Sequence, residues 1–238
     1  MTRQVIKGNL VLPEKVAEDG LLFIEDGRIV EILEASVAGD LPDSPAIIDY
    51  HGFWVTPGLI DVHLHGARGK EAMDGEVESI REMARHQASC GVTGFFPTTL
   101  TASQEALLRA IEAVRRASKE SLPSEVLGVH LEGPYISQKR KGAQDPKYVR
   151  EINQKELQDL KSVLGDLKTL VTLAPEVGQN LTYIPELVKS GWTVSVGHSD
   201  ATYEEACKAF SAGANHATHL FNAWREFHHR EPGGIGAA

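Results

Sequence analysis

The sequence predicts an α/β protein: a (β/α)8 TIM-type barrel, incomplete at about six strands, preceded by a small N-terminal β-sandwich domain. Three observations lead there. Residues 4–34 alternate apolar and polar positions with the period of strands. From Val55 onward, apolar runs alternate with amphipathic helical stretches, the pattern of a parallel sheet. The histidines and acids that stand out fall at the C-terminal ends of the predicted strands, the face on which such barrels assemble their sites.

The elements follow in order. "QVIKGNLVL" and "LLFIEDGRIVEIL" read as strands, with Asp26-Gly27 as a hairpin turn, and "AIIDYHGFWVTPG" adds another strand-like run. Residues 1–54 are therefore expected to form an antiparallel β unit, and residues 55–238 the barrel. "EVESIREMARHQASCG" sets Ile80, Met83, Ala84, Gln87 and Ala88 on one helical face, and "SQEALLRAIEAVRRAS" does so with Leu107, Ala110, Ile111 and Val114. Thr101 with Gln104 offers a capping box for the second helix. Gly91, Gly191 and Gly213 stand where helix C-termini call for a left-handed residue. Strands are expected at 57–63, 92–98, 126–132, 170–174, 193–198 and 214–219. A doubly wound sheet would usually carry GxGxxG after its first strand, and none is there.

Composition narrows the function. A net charge of −9 over 238 residues argues against nucleic acid as a main partner, while leaving room for a local basic pocket. Cys90 and Cys207 have no CxxC neighbours, so neither a disulfide framework nor a cysteine zinc site is expected. No apolar signal core and no run near the ~20 apolar residues of a membrane span is found, so a cytoplasmic protein without a membrane partner is expected.

The chemistry centres on "LIDVHLHG". On a strand, His63 and His65 point the same way and form a chelating pair for a divalent transition metal. Glu132 in "VHLEGP" is a carboxylate at the end of an apolar strand, costly to bury unless paired or metal-bound. His198 in "VSVGHSD" and His219 in "HATHLFNA" also end strands, and His130 shares the end of the Glu132 strand. Nitrogen and oxygen donors without thiolate suit zinc or iron first, manganese or cobalt next. Asp61 is either a partner that orients a histidine or simply a polar strand residue; Thr98 and Thr99 either line the pocket or serve the strand. His51, His86, His216, His228 and His229 are taken as structural or surface residues, since His216 and His219 would face opposite ways on one strand. The run "QKRKG" is taken as a solvated charged stretch rather than a phosphate site.

"PGLIDVHLHG", "HLEGPYIS", "LAPE", "VGHSDA", "THLFNA" and "REPGGIG" occur in order and together resemble the N-acetylglucosamine-6-phosphate deacetylases of the amidohydrolase superfamily. The resemblance implies Glu132, His198 and His219 as main metal ligands, and His63 and His65 as holders of a second ion, so that one or two ions are expected. It implies Asn222, Ala223 and Arg230 at the sugar phosphate, and Gly142, Ala143 and Gln144 along the sugar pocket. It further implies a homodimer, a sugar-phosphate substrate, and a general-base aspartate on an eighth strand, for which these 238 residues offer no position. Low or no turnover by residues 1–238 is therefore expected, a lost base costing ~10²–10⁴-fold. The alternatives are a non-catalytic piece that binds metal or sugar phosphate, or an amidohydrolase acting on another amide. Glu132 stands where dihydroorotase-like enzymes carry a carboxylated lysine, which favours the deacetylase.

Overall fold

A computed structural model describes residues 3–34 and 47–238. They divide into two compact units, Met1–Gly58 and Leu59–Ala238.

The first unit is one four-stranded sheet in the order β3-β2-β1-β4, built from β1 (Arg3–Val11), β2 (Val16–Glu25), β3 (Arg28–Leu33) and β4 (Ile47–Val55). Asp26 and Gly27 turn the β2–β3 hairpin with φ of 46° and 77°, the left-handed pair that a tight hairpin needs. Val5, Leu21 and Phe23 form its buried cluster, with Leu33 against them. The sheet departs from the expected antiparallel unit, because β4 pairs with β1 in parallel. Alternation along a strand reports which face is buried, not the direction of its neighbour. A parallel neighbour needs a long return path, and the whole β2–β3 hairpin intervenes between β1 and β4.

The second unit begins with β5 (Leu59–Leu64), a small hairpin of β6 (Gly66–Ala67) and β7 (Lys70–Glu71), helix α1 (Val77–Ser89) and β8 (Val92–Thr99). It continues with α2 (Gln104–Ala117), the short β9 (Glu125–Val126), β10 (Val129–Glu132), α3 (Gln154–Leu164) and β11 (Thr169–Leu173). Then come α4 (Asn180–Lys189), β12 (Thr193–Val196), α5 (Tyr203–Ser211), β13 (His216–Ala217) and a short α6 (Gly233–Ala237). The main sheet is parallel, in the order β13-β12-β11-β10-β8-β5, with β9 beside β8. It is an incomplete barrel of six consecutive strands with helices between them.

The helices end as their glycines require: Gly91, Gly191 and Gly213 have φ of 80°, 82° and 114°. The cap of α2 is not Thr101 but Ser103, whose hydroxyl accepts from the Ala106 amide; Gln104 instead donates to Asp159. A serine directly before the helix reaches its third amide without distorting the chain. The apolar faces pack on one side of the sheet, where Ile80, Met83, Ile111, Val114, Leu157, Leu160, Ile184 and Leu187 are buried with Phe95, Val129, Leu131, Val171, Val194 and Val196. Each such side chain contributes about 1.5–3 kcal/mol when fully buried. Strand alternation sends the intervening residues to the other side, so Thr98, His130, Glu132, Thr172 and Ser195 gather there as buried polar groups.

Two strands are shorter than expected. β12 ends at Val196 and β13 at Ala217, so His198 and His219 lie in the turns beyond them.

Candidate metal centre

Glu132 closes β10 with its side chain buried among imidazoles. The chain must turn at once, and Gly133 does so with φ of 80°; a Cβ there would lie 2.1 Å from the Thr101 hydroxyl oxygen. His65 Nε2 is 3.0 Å from Glu132 Oε2, and His63 Nε2 is 3.4 Å from Oε1. On the other side, His198 Nε2 lies 3.3 Å and His219 Nε2 3.0 Å from Oε1, and the two Nε2 atoms are 3.0 Å apart. His198 and His219 reach this point through left-handed backbone, with φ of 48° and 29°. Strain of this kind in non-glycine residues is characteristic of functional sites.

Three of the imidazoles have a defined proton. His65 Nδ1 is 3.2 Å from the Thr98 carbonyl, His198 Nδ1 2.8 Å from that of Arg140, and His219 Nδ1 2.9 Å from that of Asn222. A carbonyl only accepts, so each Nδ1 carries the hydrogen and each neutral ring turns an Nε2 lone pair toward Glu132. Lone pairs 3.0 Å apart beside a carboxylate repel one another unless a cation lies between them. Donors held about 2 Å from a tetrahedral zinc lie roughly 3.3 Å apart, close to the separations found here. The donor set therefore fits a transition metal, in two groups that share Glu132: His63, His65, Glu132 and Glu132, His198, His219.

Without a cation, the same rings can satisfy Glu132 only with hydrogen on Nε2. Burial opposes charge on Glu132, yet His198, His219 and His65 at its oxygens and His63 nearby outweigh it and hold the carboxyl well below the usual range. Glu132 raises the pKa of His219 against the opposing effect of burial, whereas burial lowers that of His63. His130, almost wholly buried, is pushed down to about 3 and stays neutral.

Several residues take roles that local sequence does not reveal. Gln144 is buried; its amide donates to Glu132 Oε2 at 2.6 Å and its carbonyl accepts from the Thr101 amide at 2.6 Å. It thus holds the acid that the imidazoles surround. Glu176, in "LAPE", accepts from the Ser199 hydroxyl and the Asp200 amide at 2.7 and 2.6 Å and anchors the His198 turn. Thr98 accepts from the Leu64 amide at 2.9 Å, and so fixes the strand as well as the His65 ring. Asp61 accepts from the His63 backbone amide and from Gln87, which orients the strand rather than an imidazole. Asp61 and Thr98 sit on strands, whereas Gln144 and Glu176 lie in turns, where no period marks them.

The other candidates lie around the rim. Ala143 and Asn222 are exposed and Ala223 is half-buried, with φ of 58°. Arg230 is exposed, and its hydrogen bonds go to His229 and His228. His216 is exposed beside Asn215. The "QKRKG" run is not simply solvated: Lys139 and Arg140 both pair with Asp200, at 3.2 and 2.9 Å. That aspartate, two residues beyond His198, draws the run onto the His198 turn.

The amidohydrolase family profile matches residues 54–235, a span that holds all five candidate ligands. The chain belongs to the amidohydrolase family. This amidohydrolase is 36% identical over 236 residues to the N-acetylglucosamine-6-phosphate deacetylase of Bacillus subtilis, covering 96% of this chain and 58% of that protein. It is 34% identical over 238 residues to the N-acetylgalactosamine-6-phosphate deacetylase of Escherichia coli O157:H7, covering 100% of this chain and 61% of the relative. A solved structure of the Mycobacterium smegmatis N-acetyl-D-glucosamine-6-phosphate deacetylase, in complex with N-acetyl-D-glucosamine 6-phosphate, superposes with a TM-score of 0.90 at 30% identity, covering 100% of this chain and 60% of that one. The chain thus spans about six tenths of the length of these relatives. Among the described residues, no helix is long and apolar enough to cross a membrane.

Proposed function

We propose that this chain carries the metal centre of a deacetylase that converts N-acetylglucosamine 6-phosphate to glucosamine 6-phosphate and acetate. The observation that carries it is the convergence of four imidazoles on the buried Glu132. The specific resemblance to deacetylases of N-acetylated hexosamine 6-phosphates supplies the substrate class. Glu132, His198 and His219 would hold one ion, and His63 and His65 with the shared Glu132 a second; zinc or iron fits first, manganese or cobalt next. Such an ion supplies Lewis acidity toward the amide carbonyl and brings the pKa of water to about 7.

The protein's own part is to orient. The carbonyls of Thr98, Arg140 and Asn222 keep three rings in the ligating tautomer, and Gln144 keeps Glu132 turned toward them. Asn222, Ala223 and Arg230 are proposed at the phosphate, where a guanidinium matches the anion in charge and shape. The segment Gly142, Ala143 and Gln144 is proposed along the sugar, with Gln144 also holding Glu132. A cytoplasmic homodimer belongs to the same proposal, with sedimentation velocity as its check.

Because the relatives are longer, the activity of the whole protein is the proposal, and the test on residues 1–238 is binding. Metal analysis should find one to two equivalents of zinc or iron, and calorimetry should show metal-dependent binding of N-acetylglucosamine 6-phosphate. Binding should weaken when the sugar lacks its phosphate. Failure to retain any divalent metal would overturn the proposal. The galactosamine epimer is a second candidate, because a deacetylase named for it aligns with 100% of this chain; a side-by-side titration decides between the two sugars.

A further inference from the structure

His130 is fully buried beside the candidate ligands. Its Nδ1 is 2.9 Å from the Val62 carbonyl, and its Nε2 is 2.7 Å from the Thr172 hydroxyl oxygen. The carbonyl can only accept, so Nδ1 carries the hydrogen and Nε2 of the neutral ring accepts from Thr172. With its proton so directed, Thr172 accepts from Thr218 at 2.7 Å, and Thr218 accepts from Ser195 at 2.6 Å. One carbonyl thereby sets the direction of an entire chain, Ser195 to Thr218 to Thr172 to His130 to Val62. It laces β12, the turn after β13, β11 and β10 to β5. The close approach depends on Gly197, where a Cβ would meet Thr218 and Thr172 carbon atoms at 2.8 and 2.9 Å.

The chain ends where backbone pairing lapses and side chains stand in for it, Asp61 at the His63 amide and Thr98 at the Leu64 amide. The β5–β8 ladder is irregular between Asp61 and Leu64, the stretch that contains Val62 and His63, and Leu64 stands opposite Pro97, which has no amide hydrogen. Among the described residues, His63 is also the one candidate ligand whose Nδ1 meets no carbonyl. Its ring instead packs edge-on against His130, with centroids 4.9 Å apart and planes at 81°.

We propose that His130 is a positioning residue that holds the Val62–His63 backbone and the His63 ring so that the His63/His65 pair meets Glu132. The proposal rests on the metal-centre assignment above. The test is a cobalt(II) titration of the metal-free chain, followed by visible absorption and calorimetry, for wild type and the variants His130→Leu, His130→Asn and Thr172→Val. His130→Leu should weaken the His63/His65 group by ~10–100-fold, the usual effect of losing an outer partner, and leave the Glu132/His198/His219 group within about threefold. His130→Asn places an amide nitrogen near the position of Nδ1 and should restore most of the affinity. Thr172→Val keeps the Val62 bond and should give a smaller loss in the same group. Combined with His63→Ala, His130→Leu should add little, as expected of residues acting as a unit. Equal weakening of both groups, or none in either, would overturn the proposal, as would an asparagine variant no better than leucine. Should His130→Leu not fold, Thr172→Val and His130→Asn decide. Wild-type protein that binds no cobalt would overturn the metal centre itself; two-site binding untouched by His130 variants overturns only the positioning role.

Discussion

The two arms of the site reach Glu132 by different physical means. His63 lies on β5, an outer strand among the described residues, and His65 lies one residue past its end; the two point together as alternate residues of an extended chain do. His198 and His219 lie past the ends of β12 and β13, on turns that adopt left-handed backbone and are held by outside groups. Those groups are the Arg140 and Asn222 carbonyls on the rings, and Glu176 on the His198 turn. One arm relies on regular secondary structure and needs help where its ladder lapses. The other relies on strained turns and needs anchors at every ring. A ligand pair that follows strand period survives as a visible motif, while a pair built by turns leaves two isolated histidines.

The largest expected effect removes what both arms share. Glu132→Gln should abolish measurable binding at both groups, exceeding the ~10–100-fold loss typical of outer partners. Metal analysis after dialysis checks it; retention of one full equivalent would show that the arms do not depend on a common acid.

Next, one ligand per arm should separate them. His198→Ala should eliminate the Glu132/His198/His219 group and leave His63/His65 able to bind, and His65→Ala should do the reverse. Cobalt spectra of the two variants should therefore differ and sum approximately to wild type. Identical spectra would mean a single merged site.

The pH dependence of the metal-free protein comes third. His130 is held near 3 in the fold against about 6.5 for an unfolded histidine, so protons favour the unfolded chain. Its contribution is fully present above about pH 6.5 and is lost as pH falls toward 3, on the order of a few kcal/mol. His219 acts oppositely: its raised pKa contributes stability below about pH 6.5 that fades as pH rises through the raised value. Denaturant midpoints between pH 7 and 4 should fall more steeply for wild type than for His130→Asn. Parallel curves would remove His130 from the acid response.

The smallest effect concerns the strand arm alone. Thr98→Val leaves the Leu64 amide without its acceptor and should cost about 1 kcal/mol, with a modest weakening of the His63/His65 group only. Urea unfolding and the cobalt titration together check it.

Much of this was legible before the fold was known. Apolar period and glycine stops located α1 and α2 and the run of parallel strands, and "VHLH" announced its own geometry. Thr101 misled because capping signatures recur by chance, and Ser103 lay closer to the helix start. The parallel pairing of β4 with β1 was invisible because alternation carries no information about a neighbour's direction.

Sequence alone determined the order of the six main strands, the first two helices, and which residues are chemically able to ligate, since each follows from local propensity, period and donor type. Only the tertiary structure decided that Glu132 is shared by two groups, that Gln144 and Thr98 steady them, and that His130 ends a one-way chain of hydroxyls. Such convergence joins residues 12 to 87 positions apart through strand register and turn geometry, neither of which leaves a local signal.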